Sequence, residues 1–121
     1  MKIVVTNNPL VSLKISDTEI DFRNTDLLGV LKCVRDRIHL GHKLLTHPLA
    51  GSIKPWETPY RTVLLTAEKS GLDEDSLSVI EYCIEMCNKT IVSKAFYYKR
   101  DEKNLSDFQL IDFDLIFGRF S

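Results

Sequence analysis

Cysteine is scarce: three residues in 121, Cys33, Cys83 and Cys87, with no Cys-x-x-Cys pair among them. An odd and uneven set excludes a disulfide framework and fits free thiols in a reducing compartment. Long apolar runs are missing as well. The N-terminal stretch has only Ile3-Val4-Val5 in a row, too short for a secretion signal, and nowhere does a run reach bilayer-crossing length. The expectation is a soluble cytoplasmic protein with no membrane partner. Neither sign of charge dominates: sixteen Lys/Arg against seventeen Asp/Glu leave −1, so the overall basic field of a nucleic-acid binder is absent. With five glycines, the chain contains no Gly-x-x-x-x-Gly-Lys, no Gly-x-Gly-x-x-Gly and no Gly-x-Ser-x-Gly. The common nucleotide cradles and the hydrolase nucleophile elbow are therefore excluded.

What remains is ordinary globular material, 44% apolar and 27% charged, of a length that suits one domain, residues 1–121. The β-branched run Lys2–Thr6 predicts a buried strand, stopped by Asn7-Asn8-Pro9. Asn8 as cap and Pro9 at the first helical position open a short helix through Lys14, followed by a weaker strand over Glu19–Phe22. Thr25 is placed to cap a helix over 26–40, whose Leu27, Val30, Leu31, Val34 and Ile38 form one stripe that Gly41 ends. Strands are expected over Lys43–Thr46 and Arg61–Thr66. A long helix spans 73–96, with Leu77, Ile80, Ile84, Cys87 and Ile91 inward and Cys83 beside them. After a charged turn over 99–104, Ser106-Asp107-Phe108-Gln109 has capping-box form and starts a last helix, 107–117, with Phe108, Ile111 and Leu115 inward. The alternation there also fits a strand. Strands separated by helices predict an α/β fold: a single layered domain with a small, mostly parallel sheet flanked by helices.

The near-zero net charge averages away a local imbalance. Residues 1–66 hold nine Lys/Arg and six Asp/Glu, and residues 67–121 hold seven and eleven. The basic excess, all three histidines and the one long loop coincide within 32–61. The loop, 47–60, contains three prolines, which favour a defined shape, together with Gly51, Ser52, Lys54, Trp56, Glu57 and Thr58. It follows one predicted strand and Asn7-Asn8 follows another, where ligands gather in open α/β sheets. His39, His42 and His47 offer three imidazoles in nine residues, but the spacing matches no metal motif and Gly41 separates the first two. With Lys43, Lys54 and Arg61 the histidines suit a carboxylate or phosphate instead, or a plain solvated basic face. No metal and no cofactor is assigned.

Thr6-Asn7-Asn8-Pro9, the run from Val34-Arg35-Asp36-Arg37-Ile38-His39-Leu40-Gly41-His42-Lys43 through His47-Pro48-Leu49-Ala50-Gly51-Ser52-Ile53-Lys54-Pro55, then Glu57-Thr58-Pro59 and the tail Asp107-Phe108-Gln109-Leu110-Ile111-Asp112 resemble the GrdX family. The resemblance spans nearly the whole chain. It implies an association with the glycine, sarcosine and betaine reductase systems of anaerobic amino-acid fermenters and supplies no catalytic residue. The leading expectation is an accessory or regulatory protein that binds a small anion or a reductase component. Its ligand-binding residues are Asn7, Asn8, His39, His42, His47, Gly51, Ser52, Lys54, Glu57, Thr58 and Arg61. Two alternatives stay open at this point: a small acid–base enzyme using a histidine and Glu57, with or without a metal, and a structural partner whose basic loop docks an acidic surface. The residues do not decide whether the chain is an enzyme, nor its oligomeric state.

Overall fold

The apolar run at the start of the chain becomes the middle strand of the sheet. In a computed structural model that describes residues 1–49, 58–94 and 102–118 (side chains over 1–49, 58–89 and 105–118), β1 (Lys2–Thr6) lies between β2 (Glu19–Phe22) and β3 (Thr62–Thr66). β1 runs parallel to β2, with Thr6 opposite Phe22, and antiparallel to β3, with Thr6 opposite Thr62 and Lys2 opposite Thr66. The sheet is thus mixed, one parallel and one antiparallel pair, where a mostly parallel one was expected. The reason lies in residues 43–46. They run alongside β3 in the direction of β1, and the chain then doubles back so that β3 sits between them and β1.

Lys43–Thr46 does not form the predicted strand. Leu44 makes a single bridge to Leu65, Leu45 donates to the Leu64 carbonyl at 2.9 Å and Thr66 to the Lys43 carbonyl at 2.9 Å. The Leu64 N–H, however, is taken by the Thr46 hydroxyl at 3.0 Å. A side chain replaces the next main-chain acceptor, and the ladder stops.

Alternation along the strands sends side chains to two faces. Ile3, Val5, Val63 and Leu65 face α2 (Leu27–His39) and α3 (Glu74–Lys94), which pack along each other. Val4 and Leu64 face α1 (Pro9–Lys14) and α4 (Glu102–Ile116), where Val11, Phe113, Ile116 and Phe117 complete a smaller apolar cluster. Leu77, Ile80, Cys83, Ile84 and Cys87 supply the α3 stripe as the spacing predicts, and Ile91 lies outside the described side chains. Burial pushes the Cys83 and Cys87 thiols up to about 11, so they are inert, apolar core groups. Among the described residues, no helix is long and apolar enough to cross a membrane.

The caps follow the sequence with two corrections. Asn8 caps α1 as predicted, its Oδ1 accepting from Leu10 N at 3.0 Å with Pro9 behind it. α2 is capped by Asp26, not Thr25: its carboxylate accepts from Gly29 N at 2.8 Å. An aspartate reaches the third N–H as well as threonine does and adds its charge to the positive helix end. α4 begins at Glu102, so Ser106 lies inside the helix and caps nothing. Starting earlier also changes which face turns inward. Ile111 and Leu115 are exposed, and Phe108, Gln109, Asp112, Phe113 and Ile116 point toward the sheet side.

Gly41 ends α2 with the two bonds of a Schellman motif, Gly41 N to Ile38 O at 3.0 Å and His42 N to Arg37 O at 3.2 Å, at φ +108°. A Cβ there would also meet the Ser70 carbonyl oxygen. Gly41→Ala should therefore cost about 1–3 kcal/mol from backbone strain alone, with the clash added to it, and lower the thermal midpoint by several degrees. Gly71, which has open space around it, is the control. Gly71→Ala should stay within about 0.5 kcal/mol of the parent in denaturant unfolding.

Candidate functional site

Two adjacent asparagines leave the end of β1 in opposite directions. The Asn7 carboxamide accepts from Arg61 N at 2.9 Å and donates to the carbonyls of Thr25, at 2.9 Å, and Pro59, at 2.8 Å. It ties together the end of β1, the entry to α2 and the segment that leads into β3. The Asn8 carboxamide caps α1 and donates to the Gln109 carbonyl and to Asp112 Oδ2, both at 2.9 Å. It thereby fastens α4 to the same end of the sheet.

Between these anchors opens a cleft of about 380 Å³, lined by Asn7, Pro9, Asn24, Thr25, Asp26, Pro59, Tyr60 and Leu105. The chain leaves β1 for β2 on one side and later returns to β3 on the other, so the cleft sits at the carboxyl end of β1 where strand order reverses. Tyr60 is fixed in its wall by a hydrogen bond from Gln109 Nε2 to the phenol oxygen at 2.9 Å.

Beneath the cleft lies a buried polar chain. Thr62 donates to Asp112 Oδ2 at 2.6 Å, its hydroxyl is 2.8 Å from that of Thr6, and Thr6 in turn accepts from Asn8 N at 3.0 Å. Asp112 is 4% exposed. Burial holds its carboxyl above the ordinary aspartate value, outweighing the hydrogen bonds from Thr62 and Asn8 and the positive field of Arg61. Arg61 is itself buried, which lowers its guanidinium from the usual value while Asp112 acts in the opposite sense. Desolvation outweighs attraction for both, the usual fate of charges taken into a protein interior.

The structure brings some of the expected residues together and parts others. Asn7, Asn8, Thr58 and Arg61 converge at the cleft end of the sheet, although the two carboxamides spend their hydrogen bonds on the fold. His42 is buried at the other end: its Nδ1 donates to the Thr66 carbonyl at 2.7 Å, and Thr66 is four residues along β3 from Thr62. Those four residues span about 13 Å. His39 is exposed in the last turn of α2, near His42 and away from the cleft. His47 is exposed, with Nδ1 accepting from Leu49 N at 3.1 Å. Gly51, Ser52, Lys54, Trp56 and Glu57 lie outside the described residues. Among the described residues, no group of three or more His, Cys, Asp or Glu could hold a metal ion.

Asp112, Thr62, Gln109 and Tyr60 were not among the expected site residues. The available signal was Asp112 itself: it falls on the stripe Leu105, Phe108, Asp112, Phe113, Ile116, where an acid is out of place on an inward face.

A raised carboxyl value means that the folded protein holds the Asp112 proton more tightly than the unfolded chain does. Stability from this group is complete below the ordinary aspartate value, near pH 4, and is lost as pH rises through the folded-state value. Asp112→Asn can still offer an oxygen to Thr62 and Asn8. It should flatten that part of the curve when unfolding free energy is measured in denaturant at a series of pH values from 4 upward. An unchanged slope in the variant would refute this assignment.

Compared with known proteins, residues 3–121 match the family model described as GrdX-like protein. No curated protein matches, and no solved structure does.

Proposed function

The chain belongs to the GrdX-like protein family, and from that premise we propose that it is an accessory protein of a glycine, sarcosine or betaine reductase system. Its task is to hold a reductase component at the cleft where residues 6–8 and 58–61 meet. The observation that carries this reading is the cleft's position, at the strand-order reversal and between segments pinned by Asn7. A rigid rim suits recognition, because little ordering is left to be done when a partner arrives. Among the described residues, the acid and base groups around it are engaged: the Asp26 carboxylate caps α2, Asp112 is buried behind Thr62 and Asn8, and the Tyr60 oxygen accepts from Gln109. That supports a binding surface over a reactive centre. His39 and His42 lie toward the far end of the sheet, so no acid–base pair with the cleft is proposed.

Capture of purified reductase components by the immobilised protein tests this. The wild type should retain one component, Tyr60→Ala and Leu105→Glu should weaken retention at least tenfold, and His39→Ala should leave it unchanged. Equal capture by all four proteins, or none by the wild type, would overturn the proposal. A rise in thermal midpoint with glycine or acetyl phosphate that disappears in Tyr60→Ala would assign the cleft to a small ligand instead.

A further inference from the structure

A second cavity, of about 460 Å³, lies between the end of β2 and the outer flank of α2, with Thr25 shared between its wall and that of the cleft. Its organiser is Asp21 of β2. One carboxylate oxygen accepts from Arg23 Nε at 2.7 Å, and the other accepts from Arg37 Nε and Nη2 at 3.1 and 2.8 Å. Burial pushes this carboxyl up, but the hydrogen bonds and charges of the two arginines outweigh burial and hold it below the ordinary aspartate range. Asp21 therefore stays ionised and fixes both guanidiniums, yet a single negative charge cannot neutralise two positive ones. The contacts use Nε and Nη2 of Arg37 and leave its Nη1 donors for a ligand.

The surroundings keep the positive excess. Lys32 adds a third cation to the wall. Asp36 is the one acid in the wall, against the three cations Arg23, Lys32 and Arg37, and outside the wall Glu19 lies 4.0 Å from Arg37. Cys33 adds no negative charge, since burial pushes its thiol up. Gly29 contributes no side chain to the wall, and a Cβ there would collide with Thr25.

We propose that this cavity is an oxyanion site, in which Arg23, Lys32 and Arg37 hold a phosphoryl group or an ion of the same tetrahedral shape. Cations converging from the residue after β2 and from two turns of α2 suit several oxygens arranged in three dimensions. A planar carboxylate is satisfied by one arginine fork. The site does not depend on the reductase-component reading, because the residues that define it are not those that define the cleft.

The test titrates inorganic phosphate, sulfate and acetate into the full chain at constant ionic strength. It follows the thermal midpoint and the rate at which neutral iodoacetamide modifies Cys33, read by peptide mass. Cys33 is half-buried in the cavity wall while Cys83 and Cys87 are fully buried, so it reports on occupancy. Phosphate and sulfate should raise the midpoint by several degrees and slow Cys33 modification several-fold, with acetate far weaker. Lys32→Gln and Arg23→Gln should each weaken the phosphate effect at least tenfold, whereas Lys43→Gln, an exposed cation elsewhere, and Tyr60→Ala should preserve it. Acetate equal to phosphate, or an undiminished phosphate effect in both Lys32→Gln and Arg23→Gln, would overturn the proposal.

Discussion

The arrangement of this protein depends on the hydrogen-bonding capacity of two neighbouring carboxamides at the end of the central strand. A strand that stops inside a domain leaves main-chain groups around its end in need of partners, and water is largely excluded there. Asn7 and Asn8 answer that need in opposite directions. A carboxamide is unusual in offering two donors and an acceptor in one plane, so each can join three segments at once. Serine or threonine, equally good as a cap, could not make the outward bonds to Thr25 and Pro59 on one side or to Gln109 and Asp112 on the other. Removing the Asn7 amide would leave two partly buried carbonyls without that donor, and removing the Asn8 amide would leave one such carbonyl and the buried Asp112 carboxylate short of a donor, the buried acceptor costing about 1–3 kcal/mol and the partly buried ones less.

Asp112 shows the cost of the same design. The helix that closes the second face is fastened through a carboxylate, and the carboxylate is expensive to ionise where it sits. Its neighbours are one amide, one hydroxyl and the field of a guanidinium that is also buried. Around Asp21 the balance is reversed. There, two arginines lie within direct hydrogen-bonding distance and burial is partial, so pairing prevails over desolvation. The two aspartates share a residue type and differ in how deeply they are buried and in how many charged donors reach them, and together these reverse the direction of the shift.

Local features were readable in the chain and long-range ones were not. The strand Lys2–Thr6, the Asn8–Pro9 helix start, the α2 stripe and the Gly41 stop all follow from spacing and backbone preference, and each forms as expected. The histidines lie close together in sequence but away from the cleft in space. His39 and His42 flank a helix stop, which places them near the end of the sheet opposite the asparagines. The C-terminal helix was misphased because its charged beginning reads as a turn, and a shift of a few residues rotates the inward face from Ile111 and Leu115 to Asp112 and Phe113. The Asp21–Arg37 pair is not legible in the sequence because the two meet only when β2 and α2 pack together.

The bonds from Asn8 to Asp112 join positions 104 residues apart. Loop closure over such a span carries a large entropic cost that must be met before the contact yields any return. During synthesis, the first strand and its cap emerge long before their last partner. Until α4 is released, the Asn8 amide donors lack their Gln109 and Asp112 acceptors, Thr62 lacks Asp112, and the apolar face that Phe113 and Ile116 cover stays open. The polar floor of the cleft is thus among the last parts of the molecule to be built, which makes its completion a structural record that nearly the whole chain has folded.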